Sequence, residues 1–471
     1  MPTARNDSAR SVLARLLHHG SPPLEVAERF RARGHELYLV GGYLRDALLD
    51  RSPGGDLDFA TDASPDQTHD IVKPLATHVW LQGMRFGTVG AEIGGEGMEI
   101  TTFRTERYAA ESRHPDVAFE TEIATDLSRR DFTINAIALR LPERVAVDPF
   151  GGVEDLGARL IKTPGDPIVS FTDDPLRMLR AFRFASQLGF EIVDGVLEAV
   201  TKLKEQMRTV SRERVRDELS KLLVGGAPRR ALELADSTGL TEQFVPELGA
   251  LKLEQDPVHQ HKDVFAHTLA VIEHTRPELE LRLAAMLHDI GKPKTRRFGP
   301  EGVSFHHHEV VGAEMAKRRL QELRYPNETV RAVTEIIRLH HRFHTYRLGW
   351  SDSAVRRYVR DAGVYLEPLN ELVAADCTTR NRDKARRLAE RIDELRGRIA
   401  ELEAREELAR IRPELDGNDV MAYLGVPPGR VVGEALAHLL EIRLDEGPIG
   451  RDEALERLRS WALERGIDPG E

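Results

Sequence analysis

Two aspartates spaced two residues apart, Asp56 and Asp58 in DLDFAT, are the first residues whose types and spacing suggest chemistry. On a strand, residues i and i+2 share a face, so both carboxylates would point the same way. Two such charges held a few ångströms apart repel unless a cation lies between them. A divalent metal that also binds phosphate oxygens is the usual partner of such a pair. Taken alone, DLD also fits two solvated acids at the end of a loop.

The elements that must position this pair run from Leu37 to Thr61, LYLVGGYLRDALLDRSPGGDLDFAT. The stretch predicts a strand over Leu37–Val40, then the glycines Gly41 and Gly42 and a helix carrying Arg45 and Asp46. A glycine-rich turn and a strand holding both aspartates follow. Adjacent glycines let backbone approach a ligand, and a helix N-terminus offers free N–H groups to an anion. Arg45 would add a fixed charge for a phosphate. At this point GGYLRD followed by DLD resembles the nucleotidyltransferase superfamily, and more closely the bacterial-type tRNA nucleotidyltransferase and poly(A) polymerase family. That resemblance implies Mg²⁺ held by Asp56 and Asp58 with a third carboxylate on a neighbouring strand. Glu99, in MEITTFR, is the candidate; an exposed strand residue is the other reading.

Downstream, Arg85 to Val89 is expected to begin a strand, and residues 106–125, polar and without a clean period, to form a mobile loop. Arg129, Arg130 and Asp131 precede an apolar stretch in RRDFTINA. They could hold a triphosphate and a ribose hydroxyl, or form a surface ion-pair cluster. The string matches the family's second signature, and Asp148-Pro149-Phe150-Gly151-Gly152 resembles its short hinge motif.

From Asp166 the chain reads as helical. Asp174, Arg177, Arg180 and Arg183 recur every third residue and so lie in one row on a helix surface. By itself this row fits an amphipathic helix with internal salt bridges. The resemblance gives it another meaning, since the family's [DE]-D-x-x-R motif falls on Asp173, Asp174 and Arg177. It implies that Asp174 and Arg177 read the edge of an incoming base, first C and then A. An acid can accept from an exocyclic amine and an arginine can donate to ring or carbonyl acceptors. Arg180 and Arg183 would take triphosphate oxygens. Asp173 departs from the glutamate many relatives carry. Glu213 and Arg214 in SRERVRDELSKLL are expected to support this helix.

A second constellation follows: His267, His288-Asp289, His306 to His308, His340-His341 and Asp376. This order resembles the metal-dependent HD phosphohydrolase superfamily. It implies His267, His288, Asp289 and Asp376 as ligands of a divalent transition metal, with His308 and His341 as further choices. Phosphatase or cyclic-phosphodiesterase chemistry would follow. A fold whose histidines merely satisfy hydrogen bonds is the alternative.

The bulk properties set limits. With 471 residues the chain needs two to four domains. Its single cysteine, Cys377, rules out a disulfide framework and fits a reducing compartment. No apolar run of about eighteen residues is present, and MPTARNDSARSVLARLLHHG lacks a secretion signal, so a cytoplasmic protein with no membrane partner is expected. The net charge of −11 argues against indiscriminate nucleic-acid binding and against a polymerase running along tails.

The expected fold class is α+β, a nucleotidyltransferase head with a mixed sheet followed by all-α neck, HD and tail domains. The expected boundaries are 1–160, 161–255, 256–380 and 381–471. A long charged helix over residues 379–412, apolar at Leu388, Ile392, Leu395, Ile399, Leu402 and Leu408, should pack in a helical hairpin or along a seam. The resemblance implies CCA addition to the tRNA 3′ end from CTP and ATP with Mg²⁺. Poly(A) synthesis, CC-only or A-only addition, and an HD hydrolase stay open.

Overall fold

The computed structural model describes residues 17–18, 20–51, 56–107, 116–119, 122–253, 263–299, 302–345, 350–377, 382–406 and 411–468. They fall into two compact units, Met1–Phe244 and Val245–Glu471. Among the described residues no helix is long and apolar enough to cross a membrane.

The first unit is built on strands β1 (Leu37–Val40), β2 (Leu57–Thr61), β3 (His78–Trp80), β4 (Thr88–Ile93) and β5 (Glu96–Thr102). After a separate ribbon of β6 (Arg104–Arg107) and β7 (Asp116–Phe119) come β8 (Ala138–Leu141) and β9 (Val145–Val147). The sheet order is β3-β4-β5-β2-β1-β8-β9. β2 and β5 run parallel while their other neighbours pair antiparallel, so the sheet is mixed. β1 is apolar and buried throughout, as a central strand covered on both faces should be. In β5, Met98, Ile100 and Thr102 are buried while Glu99 between them is exposed, the two-residue period of a strand with one wet face. Tyr38, Val40, Ala60, Phe103, Leu127 and Ala138 pack together as one core of this unit.

Helix Gly41–Leu48 follows β1 directly, and helix Pro65–Val72 starts at a capping box of Ser64 with Gln67. Two sequence expectations change. Met84–Phe86 is a single 3₁₀ turn that Gly87 ends at φ +90°, so the strand begins at Thr88, not Arg85. The expected loop is bounded by β6 and β7, paired from Arg104↔Phe119 to Arg107↔Asp116, with residues 108–115 and 120–121 outside the described ones. Ladder hydrogen bonds hold such a ribbon without any apolar period.

The unit continues through a short parallel pair, β10 (Leu160–Ile161) and β11 (Glu191–Ile192), and helices Pro167–Asp173, Leu176–Leu188, Asp194–Leu203, Arg212–Leu223 and Pro228–Ser237. A Cβ at Gly225 would stand 2.2 Å from Ser186 Oγ, so glycine is what lets the chain after Arg212–Leu223 lie against Leu176–Leu188.

The second unit is mostly helical. Helices Val264–His274, Leu279–Leu287, His308–Glu322, Asn327–His340 and Leu366–Asp376 carry the histidine set, and a hairpin of β12 (Arg297–Gly299) and β13 (Gly302–Ser304) projects between the second and third. The long helix spans Arg382–Glu406, with Ile392, Leu395 and Leu402 buried along one side and Leu408 outside the described residues. Helices Gly417–Leu424, Arg430–Glu446 and Arg451–Glu464 close on a core of Val420, Leu439, Leu458 and Trp461.

Candidate functional site

In the first unit, Asp58 stands in register with Glu99 across the parallel β2–β5 pair, and Asp56 lies one residue before β2. Burial pushes the Asp58 carboxyl up to about 6, and the negative charges of Glu99 and Asp56 add to the rise while Arg130 opposes it. Two neighbouring carboxylates that raise the proton affinity of Asp58 are charges a divalent cation would relieve. Gly41 sits at φ +77°, and a Cβ there would come within 2.9 Å of Asp58 Oδ2. The first glycine is therefore shaped by the carboxylate. Gly42 is different: its Cβ position meets nothing closer than Arg45 Nη2 at 3.6 Å.

Asp58 lines a cleft of about 610 Å³ together with Gly41, Gly42, Arg45, Arg129, Arg130, Asp131, Asp174, Arg177, Arg180 and Arg183. Asp56 and Glu99 are exposed residues next to Asp58 and are not part of its lining.

Each arginine is held from behind. Arg129 and Arg130 both pair with Asp126, at 2.7 and 3.2 Å. Burial opposes the Asp126 charge, but the two guanidiniums outweigh it and hold the carboxyl below its usual range. Arg180 pairs with buried Asp131 at 2.6 Å. Asp131 also accepts from Asn135 Nδ2 and from the Phe132 N–H, both at 2.8 Å. Asn135 in turn accepts from Arg45 at 3.0 Å, which links the signature's Asp131 to the arginine of the first helix. Arg183 pairs with Glu218 at 2.6 Å, and burial brings its guanidinium down to about 10 despite that partner. The guanidiniums of Arg45, Arg180 and Arg183 lie 5.1, 5.9 and 3.8 Å from the Phe184 ring centre.

The expected base-reading pair is also in the cleft. Asp174 Oδ1 accepts from the Leu176 N–H at 3.2 Å, capping its helix, and Oδ2 accepts from Arg214 at 2.9 Å. Arg177 donates to Ser170 Oγ at 2.9 Å and to the Arg129 carbonyl. Asp173 and Glu213 are exposed. Asp126, Asn135 and Glu218 stand inside strings the sequence marks but are not singled out there. Phe184 reads from its spacing as pointing away from the arginine row to bury its helix; it is buried, but it also lines the cleft with three guanidiniums near its ring.

In the second unit, His267, His288 and Asp376 bring ligand atoms together, as do Asp289, His308 and His340. His267 Nε2 lies 2.8 Å from Asp376 Oδ1, and His288 Nε2 lies 3.2 Å from Asp289 Oδ2. His308 Nε2 lies 3.5 Å from Asp289 Oδ1. In the second pair of histidines it is His340 whose ring is buried within the group, 5.3 Å from His308, while His341 is exposed with its ring 5.1 Å from His308.

Three rings share one device. The Nδ1 atoms of His288, His308 and His340 contact the Ala285, Phe305 and Ile337 carbonyls at 2.8, 2.9 and 2.5 Å. A carbonyl only accepts, so Nδ1 carries a proton in each ring and Nε2 is the atom left to face the group. Nε2 of His288 is buried with no hydrogen-bond partner. Burial opposes charging His288, but Asp289 and Asp376 raise it to about 10, while burial and the neighbouring His288 push His340 down to about 3. Imidazole nitrogens and carboxylates drawn into two such groups are donors a divalent metal fits, and binding one would displace the second proton of His288. Gly291 permits the approach, because a Cβ there would lie 2.2 Å from the His308 carbonyl oxygen.

Comparison with known proteins finds matches in both units. Residues 37–162 match the model of the Poly A polymerase head domain, residues 189–251 that of a probable RNA- and SrmB-binding site of polymerase A, and residues 264–402 the HD domain. A CCA-adding enzyme of Anoxybacillus flavithermus is 43% identical over 232 residues, which is 49% of this chain and 57% of that protein. The chain thus spans little more than half the length of that relative. A CCA-adding enzyme of a Geobacillus strain is 30% identical across 95% of this chain and 98% of its own. A CC-adding tRNA nucleotidyltransferase of Thermus thermophilus is 34% identical across 90% and 94%. Among solved structures, a Bacillus stearothermophilus CCA-adding enzyme in complex with CTP superposes with TM-score 0.69 at 26% identity, covering 94% of this chain and 97% of that one.

Proposed function

Because the chain belongs to the bacterial-type tRNA nucleotidyltransferase and poly(A) polymerase family, we propose that it adds C, C and A to the 3′ end of tRNA. CTP and ATP are the donors, no nucleic-acid template is used, and pyrophosphate leaves. The observation that carries this is the single cleft in which Asp58, anchored arginines and the Asp174/Arg177 pair meet.

Asp56, Asp58 and Glu99 would hold Mg²⁺, which supplies charge neutralisation to the attacking 3′-oxygen and the departing pyrophosphate. The protein's own part is positioning. Arg180 and Arg183, already fixed by Asp131 and Glu218, face the triphosphate without having to be ordered on binding. Arg129 and Arg130, both held by Asp126 and lining the same cleft, serve the same anion. Asp174 accepts from the N4 amine of cytosine or the N6 amine of adenine, and Arg177 donates to the adjoining ring acceptor. Uracil and guanine place an oxygen where Asp174 needs a donor, so they are refused. In the free protein Arg214 occupies that acceptor, and it yields when the base arrives.

The test is incorporation of labelled CTP or ATP into tRNA transcripts ending before CCA, after C and after CC. CCA on the first and one A on the third are expected. CC on the first with no A would make it a CC-adding enzyme, the reading favoured by the likeness to the Thermus thermophilus protein. A on the third alone would indicate an A-adding enzyme, and long A ladders a poly(A) polymerase.

A second activity rests on the histidine cluster. We infer that His267, His288, Asp289, Asp376, His308 and His340 hold divalent transition metal for phosphate-ester hydrolysis. Asp58→Ala should abolish nucleotide addition and leave that hydrolysis intact; loss of both together refutes two separate centres. Action in the cytoplasm belongs to the same reading.

A further inference from the structure

Between the second and third histidine-bearing helices, the chain runs KPKTRRFG from Lys292 to Gly299. From Lys292 through the hairpin to Phe305 its charges are Lys292, Lys294, Arg296 and Arg297 against one acid, Glu301, in a chain whose net charge is −11. The segment is tied to the metal-type cluster at both ends. Lys292 Nζ lies 2.6 Å from Asp289 Oδ2, and past the hairpin the Phe305 carbonyl meets His308 Nδ1.

Between these ties the β12–β13 hairpin keeps Phe298 70% exposed, with the Arg296 guanidinium 4.6 Å from the ring centre. Lys294, in the helical turn Lys292–Thr295, and Arg297, which precedes Phe298 on β12, are exposed as well. Packing does not explain an aromatic ring left in water on a two-stranded ribbon. An exposed ring with a guanidinium against it, on a segment of further cations, is, however, what unpaired bases stack on while their phosphates meet the charges.

We propose that the β12–β13 hairpin is a landing platform for single-stranded RNA, whose terminal base stacks on Phe298 while Lys294 and Arg297 take backbone phosphates. The strand end then points along Lys292 toward the histidine cluster. Charge complementarity selects a polyanion, and the exposed ring selects one that carries bases. The proposal rests on the hydrolytic reading of the second centre only for the direction of the strand; binding itself requires no turnover.

The test is fluorescence of full-length Phe298→Trp with short single-stranded RNA. Base stacking on the new indole should give saturable quenching that the wild-type tryptophans do not show. Adding Arg297→Glu should weaken the apparent affinity about tenfold, and raising salt should weaken it further. Inorganic phosphate should leave the signal unchanged. Quenching no greater than in the wild type overturns the platform. Quenching reproduced by a mononucleotide at equal affinity overturns the RNA reading in favour of a nucleotide pocket. Because the readout is binding, it stands or falls apart from any hydrolysis by the cluster.

Discussion

The two adjacent glycines of GGYLRD offer a sharp test, because the structure gives them different neighbours. Gly41→Ala puts a Cβ 2.9 Å from Asp58 Oδ2 on a backbone at φ +77°. Left-handed backbone costs a non-glycine residue about 1–2 kcal/mol. For a unit of this size that is a fall in melting temperature of roughly 2–8 °C. Separately, the displaced carboxylate should cost roughly 100-fold in kcat, the scale set by an ångström of misplacement. Gly42→Ala meets only Arg45 Nη2 at 3.6 Å, and alanine is the better helix former. Its melting temperature should hold or rise, while KM for CTP and ATP rises about tenfold if a phosphate must approach that backbone. Differential scanning fluorimetry and steady-state kinetics on both variants decide it. If Gly41→Ala loses stability but keeps kcat, Asp58 is not placed for chemistry. If Gly42→Ala leaves KM unchanged, the helix start is not the triphosphate site.

The acid cluster makes a pH prediction. The folded pKa of Asp58, about 6, lies above the ordinary carboxylate value, so protonation favours the fold: the group's stabilisation is present below the ordinary pKa and fades as pH rises through about 6. Mg²⁺ should therefore raise the melting temperature more at pH 7 than at pH 5, and an equal rise at both contradicts the carboxylate site. Glu218→Ala strands the Arg183 guanidinium in a buried place and should cost about 3–5 kcal/mol in urea unfolding; a loss under about 1 kcal/mol would mean water replaces the partner. Gly291→Ala pushes on the His308 carbonyl and should lower bound metal in the second unit without changing nucleotide addition. After chelation, Mg²⁺ alone should restore nucleotide addition, where the donors are carboxylates, whereas the imidazole-rich cluster should need Mn²⁺, Co²⁺, Ni²⁺ or Zn²⁺. Recovery of hydrolysis with Mg²⁺ alone refutes that assignment.

Local order was legible in the sequence wherever one rule of spacing fixed it. β1, the glycine pair and helix Gly41–Leu48 lie where LYLVGGYLRDAL placed them, and the apolar stripe of Ile392, Leu395 and Leu402 is buried as its period required. What stayed hidden depends on contacts between distant residues. Nothing near Arg183 in sequence announces Glu218, and Asp126 reads as one more acid in a polar stretch until its side chain is seen buried under two arginines. The choice between His340 and His341 is equally invisible, since neighbours on a helix differ only by the direction each faces. The strand expected at Arg85 failed for a local reason: Gly87 takes a left-handed conformation and ends the turn one step before extension can begin.

These hidden acids resolve an apparent conflict between charge and function. Under the proposed function, a chain with net charge −11 has to attract triphosphate and RNA. The means it offers is a carboxylate paired with each group of cleft arginines: Asp126 with Arg129 and Arg130, Asp131 with Arg180, Glu218 with Arg183. Each acid lets guanidiniums crowd into a partly buried cleft where their mutual repulsion would otherwise be costly. Each also fixes the side chain, so a ligand meets donors that are already oriented and loses less entropy on binding. The long-range field of such paired charges is weak, which suppresses indiscriminate attraction of polyanions. At contact distance the remaining N–H donors still point into the cleft, so affinity depends on shape and register. Selectivity toward one kind of RNA end follows from that arrangement, and mutating the acids should blur it before it abolishes binding.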